Sequence, residues 1–255
     1  MRRTFNWRRV GLITLLLLVV GTTLALAADP LPIPSVNLSV GQSDKPADVI
    51  SSLQIVALLT ILSLAPSLIM LTTAFTRIVV VLSFTRSALA TQNQPPNQVI
   101  VGLALFLTFF VMAPTWSRVN SEALQPYLKG EITQSVALNK AQVPVREFML
   151  KQTSEKDLAL FINLAKMERP AKREDVPTTV LVPAFAVSEI TTAFKIGFLI
   201  YIPFIVIDMV VASTLMSMGM MMLPPMMISL PFKILLFVMM DGWRLVIQYL
   251  VASFK

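Results

Sequence analysis

The sequence predicts an all-α fold in which two long hydrophobic helical hairpins flank a soluble α-helical insertion. Three observations carry that expectation. Hydrophobic residues make up 55% of the 255-residue chain and charged residues only 14%, whereas soluble domains run nearer one quarter charged. Two stretches, Val49 to Thr76 and Val99 to Trp116, hold no charged residue, and the last third of the chain is apolar again. Between these stretches, residues 118–183 gather Lys, Arg, Asp and Glu in mixed sign, the pattern of a segment that faces water.

Taken in order, residues 1–27 read as a signal peptide. Arg2, Arg3, Arg8 and Arg9 form a basic start, Val10 to Gly21 an apolar core, and Ala25-Leu26-Ala27 a small-x-small cleavage signal. Cleavage after Ala27 is expected. The alternative is an uncleaved first helix, against which the core of ~12 residues falls short of the ~20 that span a bilayer. Residues 28–48, with four prolines, read as an extended periplasmic segment.

Residues 49–117 read as the first hydrophobic hairpin, with Pro66 as a kink. Arg77, Arg86 and the polar turn Gln92-Asn93-Gln94-Pro95-Pro96 connect its two arms. Two arginines without an acid place that connection on the cytoplasmic side, in agreement with an exported N-terminus. Within the insertion, Val145, Phe148, Met149, Leu158, Phe161, Ile162 and Ala165 recur at helical spacing and predict two short amphipathic helices. Lys166 to Asp175 reads as a solvated charged loop.

Residues 184–255 form the second hairpin, which departs from an ordinary membrane pair because Lys195, Asp208, Lys233, Asp241 and Arg244 interrupt it. The uncharged run between Lys195 and Asp208 would give ~18 Å of helix, less than the ~30 Å of hydrocarbon that a lone span crosses. On a continuous helix Lys233, Asp241 and Arg244 fall within ~80° of one another, so they should meet protein or water rather than lipid. Glu189 and Asp208 are the candidate partners for Lys233. Ten of the fifteen methionines lie between Met209 and Met240. Gly219 and Pro224-Pro225 break the helix there, so this segment reads as a hairpin turn or re-entrant loop tipped with methionine.

The composition also excludes chemistry. The chain has no Cys and no His, which removes thiol and imidazole nucleophiles, Cys/His zinc sites and disulfides. No catalytic, cofactor or metal site is expected. The net charge of +7 is largely the basic start and does not point to nucleic acid. A carrier using Asp208 and Asp241 as titrating groups near Lys195 and Lys233 is the rival reading, and an aspartyl dyad of the same two residues is a third. No internal repeat supports the carrier.

Three blocks carry a family resemblance. Leu82-Ser83-Phe84-Thr85-Arg86, the run from Pro183 to Phe198 (PAFAVSEITTAFKIGF), and Met218-Gly219-Met220-Met221-Met222-Leu223-Pro224-Pro225 resemble, in order and spacing, the signature blocks of the FliP family. That family is similar to the gate subunit of virulence secretion injectisomes; the signal peptide favours the flagellar branch. The resemblance implies a component of the flagellar type III export gate at the inner membrane and the periplasmic side of the basal body. It further implies a homopentamer that assembles with FliQ and FliR into a helical cone, works with other export-apparatus proteins and passes unfolded flagellar proteins. The family's gate loop falls on Met220, Met221 and Met222, and Glu189, Lys195, Asp208, Lys233, Asp241 and Arg244 become candidate assembly charges.

Overall fold

The computed structural model describes residues 46–255 except Gln92, Arg169, Met221 and Lys255, with side chains described from residue 55 onward. Ala27, the signal peptide and residues 28–45 therefore lie outside the described residues, as does Met221. Every regular element among the described residues is a helix, and none is a strand.

Helix α1 spans Pro46–Thr72 with Pro66 inside it. From Val56 to Leu71 its side chains are almost all exposed although they are almost all apolar. It stops at Thr73, whose hydroxyl donates to the Ile69 carbonyl at 2.8 Å and accepts from the Phe75 amide at 3.4 Å. Such a side-chain bond competes with the backbone ladder and ends the helix. Helix α2, Phe75–Ala88, then buries Phe75, Ile78, Val81, Leu82, Thr85 and Ala88, a stripe at three- and four-residue spacing. Arg77 and Arg86 thus lie inside a helix and not in the connection the sequence suggested. The turn is confined to residues 89–96, because a charge does not stop a helix when its side chain finds a partner.

Helix α3, Asn97–Val119, buries Ile100, Ala104, Thr108, Met112 and Thr115 along one face. Phe106, Phe109 and Phe110 stand exposed on others. A π-helical turn, Asn120–Leu124, carries it into the short α4, Gln125–Leu128. The insertion supplies α5, Gln134–Gln152, and α6, Glu155–Leu164. Ser154 caps α6 by accepting from the Asp157 amide at 3.2 Å, satisfying one of the free amides of the first turn. The charged run after α6 is a loop with one 3₁₀ turn, Arg173–Asp175.

Helix α7 runs uninterrupted through Thr178–Ser217, 40 residues that include Pro183 and Pro203. At ~1.5 Å per residue it is ~60 Å long. The twelve uncharged residues between Lys195 and Asp208 are the middle of this helix and not a short span; sequence charge marked their limits, yet both flanking charges continue the helix. Its first turns close one core with Met149, Leu150, Leu158, Ile162 and Val176. Farther along it helps close a second core with Ile78, Leu82, Ile100, Ala104 and Phe237. At Gly197 it meets α2 so closely that a Cβ would sit 2.6 Å from the Phe84 ring, which only glycine avoids.

Helices α8, Pro225–Met239, and α9, Gly242–Ala252, follow. Between them Asp241 takes a left-handed conformation, φ 50° and ψ 46°, and the axes bend by 64°. The stripe expected of Lys233, Asp241 and Arg244 requires one unbroken helix, so the bend dissolves it. By length and composition, three helical segments could cross a membrane, Ile55–Thr72, Asn97–Leu128 and Thr178–Ser217, with the bent α8–α9 pair as a possible fourth.

Candidate functional site

The methionine-rich segment is a loop joining the antiparallel helices α7 and α8. Helix α7 closes with paired bonds, Gly219 amide to Met216 carbonyl and Met220 amide to Leu215 carbonyl, each 3.0 Å. Gly219 adopts φ 77°, as the left-handed position of this C-terminal cap requires. Pro224 and Pro225 then start α8, where the missing amide of a first-turn proline costs nothing. The result is a tight apolar tip that packs on little of its own chain. Met222 is 98% exposed and Met218 69%, and Met220 stands out less.

Three side chains tie the two arms together below the tip. Lys233 on α8 donates to Asp208 Oδ2 on α7 at 2.6 Å, and Ser229 Oγ donates to Asp208 Oδ1 at 2.5 Å. The Lys233 side chain is 2% exposed and Ser229 is fully buried. A buried ammonium is tolerated only when paired and hydrogen-bonded, and Asp208 meets both conditions. Of the two partners weighed for Lys233, Asp208 is the one in reach.

Glu189 belongs to a second cluster. Arg77 Nε donates to Glu189 Oε2 at 3.0 Å, and Nη2 pairs with the other carboxylate oxygen. The same guanidinium donates to Gln152 Oε1 at 3.0 Å, to the Ser253 carbonyl at 2.9 Å and to Ser253 Oγ at 3.1 Å. It also lies 3.9 Å over the Phe254 ring, a cation–π contact. All five donors of a planar fork suit such a hub better than a lysine would. One buried residue therefore joins α2, α5, α7 and the segment after α9. Arg77 escaped the sequence reading, which spent it on membrane orientation. The usable signal was its isolation, since Arg77 is the lone charge between Asp48 and Arg86, and Glu189 the lone acid between Asp175 and Asp208.

Lys195, Asp241 and Arg244 are exposed and make no ion pair among the described residues. Asp241 sits eight residues beyond Lys233, ~12 Å farther along the helix direction, so Asp208 and Asp241 are not brought together as a dyad. Among the described residues no cluster of three or more Asp and Glu could hold a metal ion. In the insertion, Arg118 donates to Glu122 at 2.9 Å and pairs with Glu147. That guanidinium holds the Glu147 carboxyl below its ordinary value.

Residues 58–250 match the FliP family, a span from the middle of α1 almost to the end of α9. The chain belongs to the FliP family. It is similar to the flagellar biosynthetic protein FliP of Bacillus subtilis strain 168, 59% identical over 217 residues that cover 85% of this chain and 98% of that protein. Proteins of the same name from Aquifex aeolicus and Caulobacter vibrioides are each 48% identical, over 88% and 97% of this chain and 92% of their own length. The three blocks that carry the resemblance all lie within the matched span. Leu82 to Arg86 and Pro183 to Phe198 hold the Phe84–Gly197 contact and Glu189, and the third block is the methionine loop.

Proposed function

We propose that this FliP-family chain is a structural, non-enzymatic, pore-forming component of the flagellar type III protein export gate. In this reading it assembles as a homopentamer with FliQ and FliR at the inner membrane, reaches the periplasmic side of the basal body, and passes unfolded flagellar proteins. The observation that carries the reading is the fully exposed Met222 at the tip of a hairpin whose arms are pinned by the buried Lys233 and its half-buried partner Asp208. An apolar tip left bare on one chain is satisfied when several copies bring their tips together around an axis. Unbranched, polarisable thioether side chains can close around many shapes, which suits a seal that must exclude ions at rest and yield to a polypeptide.

The bare apolar faces of α1, α3 and α7 support the same reading, since each needs lipid or a neighbouring helix to cover it. Lys195 on α7, Asp241 between α8 and α9, and Arg244 on α9, all exposed, suit pairing across copies or with FliQ and FliR better than contact with hydrocarbon. A signal peptide cleaved after Ala27 would leave the mature N-terminus on the outer side, to be read directly by N-terminal sequencing of the membrane-extracted protein.

The experiment is conductance through the resting complex. Replacing Met220, Met221 and Met222 together by Ala should leave co-purification with FliQ and FliR intact and raise ion leakage. An unchanged leak from a complex of normal yield would reduce these methionines to packing.

A further inference from the structure

The break between α8 and α9 is held against local preference. Asp241 takes φ 50° and ψ 46°, a left-handed conformation that a residue with a Cβ disfavours. The first bond of α9 runs from the Leu245 amide to the Asp241 carbonyl at 3.1 Å. The amides of Gly242, Trp243 and Arg244 therefore forgo the helical bonds that an unbroken ladder would give them, and the Asp241 side chain caps none of them. What holds the bend is tertiary. Gly242 lies so close to the Phe237 ring that a Cβ would sit 2.3 Å from it. The far end of α9 is clamped, because Arg77 Nη1 donates to the Ser253 carbonyl and hydroxyl, the guanidinium covers the Phe254 ring, and Gln152 Nε2 donates to the Phe254 carbonyl at 3.0 Å. Between these two anchors α9 stands off α7 across an apolar cleft of about 470 Å³, with Ile196, Ile200 and Pro203 on one side and Leu245, Val246 and Tyr249 on the other.

We propose that the α8–α9 elbow is a two-state hinge, latched bent by the hold of Arg77 on Ser253 and Phe254, which straightens along α7 into one helix from Pro225 to Ala252 when the latch lets go. The register of the hairpin shows where the straight arm goes. Lys233 lies against Asp208 and Phe237 against Phe204, antiparallel steps of four residues. Continued without a bend, the same steps set Asp241 opposite Ile200 and Leu245 opposite Ile196, both of which line the cleft. Straightening thus fills the cleft with apolar side chains that already face it. It also returns Asp241 to the right-handed region, gives the three amides partners, and sets Asp241 and Arg244 three residues apart on one helix, where opposite charges attract. The bent state keeps the latch and the edge contact of Phe237 with Trp243 at 5.5 Å instead. Two packings with offsetting gains make a switch and not a continuous flexing. With the 11 residues of α9 turning through 64°, the last turn travels ~17 Å. Arg77 also holds Gln152 of α5 and Glu189 of α7, so release of the arm is felt where the insertion meets the hairpins.

The chain has no cysteine of its own, so spin labels on Lys151→Cys and Ala252→Cys report a single distance, from the end of α5 to the end of α9, in the full chain reconstituted in lipid. With no other change the short, latched distance should dominate. Gly242→Ala, which the bent state cannot seat beside Phe237 and a straight helix can, should move the main population to a distance longer by more than ~10 Å. Phe254→Ala weakens the latch and should raise the same long population. Asp241→Gly relieves the left-handed backbone and disfavours the unbroken helix, so adding it to Phe254→Ala should restore the short population about fivefold. A short distance kept in both Gly242→Ala and Phe254→Ala, at normal yield and helix content, would overturn the inference. So would a broad spread in place of a second defined distance, which marks fraying and not a switch. Should Gly242→Ala not fold, Phe254→Ala with and without Asp241→Gly decides the matter: a long population that Asp241→Gly leaves unchanged counts against the hinge.

Discussion

Arg77 and Glu189 stand 112 residues apart in the chain and form a fully buried ion pair. Around that pair converge α2, α5, α7 and the segment after α9, so the pair fixes how the insertion meets the hydrophobic hairpins. Removing one partner strands the other charge, which costs ~3–5 kcal/mol where the pair is buried. Glu189→Ala should therefore lose most folded protein in detergent, read as a lower thermal midpoint and yield. Arg77→Met combined with Glu189→Met should recover a large part of that loss, because it removes both charges together. A double variant as unstable as the single one would show that shape, and not charge, dominates the site.

Lys233 and Asp208 make the second test. On the proposed assembly, Lys233→Glu should abolish recovery of a complex with FliQ and FliR, since it places two carboxylates against each other. Adding Asp208→Lys restores opposite charges, and the double-mutant coupling should be ~1–3 kcal/mol. Wild-type complex yield from Lys233→Glu alone would show that the buried contact is dispensable.

Gly197 offers a steric test. A Cβ there would lie 2.6–2.9 Å from three atoms of Phe84, so Gly197→Ala should destabilise by ~1–3 kcal/mol through overpacking. Phe84→Leu in the same chain should relieve part of the penalty. Thermal midpoints of the single and double variants decide it, and a neutral Gly197→Ala would mean that α2 moves away freely.

Glu147 gives a dependence on pH. The Arg118 side-chain hydrogen bond holds its carboxyl below the ordinary 4.5, so folding binds fewer protons there than unfolding does. Its contribution is present above that ordinary value and fades as pH falls through the lowered native one. The group is exposed, so the effect on stability should be small. Arg118→Gln should return the Glu147 titration, followed by NMR of the labelled carboxyl, towards the ordinary value.

Much of this architecture was legible in the chain. Charge-free runs and a charge-dense middle announce helices and an insertion, because lipid or protein must cover one and water the other. Gly219 with Pro224 and Pro225 announces the loop, since each fixes a backbone conformation locally. What sequence could not give was decided by contacts between distant residues. Arg77 looks like an orientation signal until Glu189 is placed beside it. The bend at Asp241 is equally silent, because nothing about a single aspartate requires a left-handed backbone, and helical-wheel reasoning runs straight through it. Lys195 and Asp208 marked false helix limits for the same reason: periodicity records which face is apolar and not where the hydrogen bonding stops.

Helix α7 begins inside the core of the charged insertion and ends at the methionine tip. Such a rod is a mechanical arm with its fulcrum among α5 and α6. Over ~60 Å of helix, a tilt of ~1° at the insertion displaces the tip by ~1 Å. On the proposed reading the insertion thereby acquires leverage: a partner docked on α5 and α6 would move the far end through angle, with Pro183 near the base and Pro203 farther along as the places where the arm can flex.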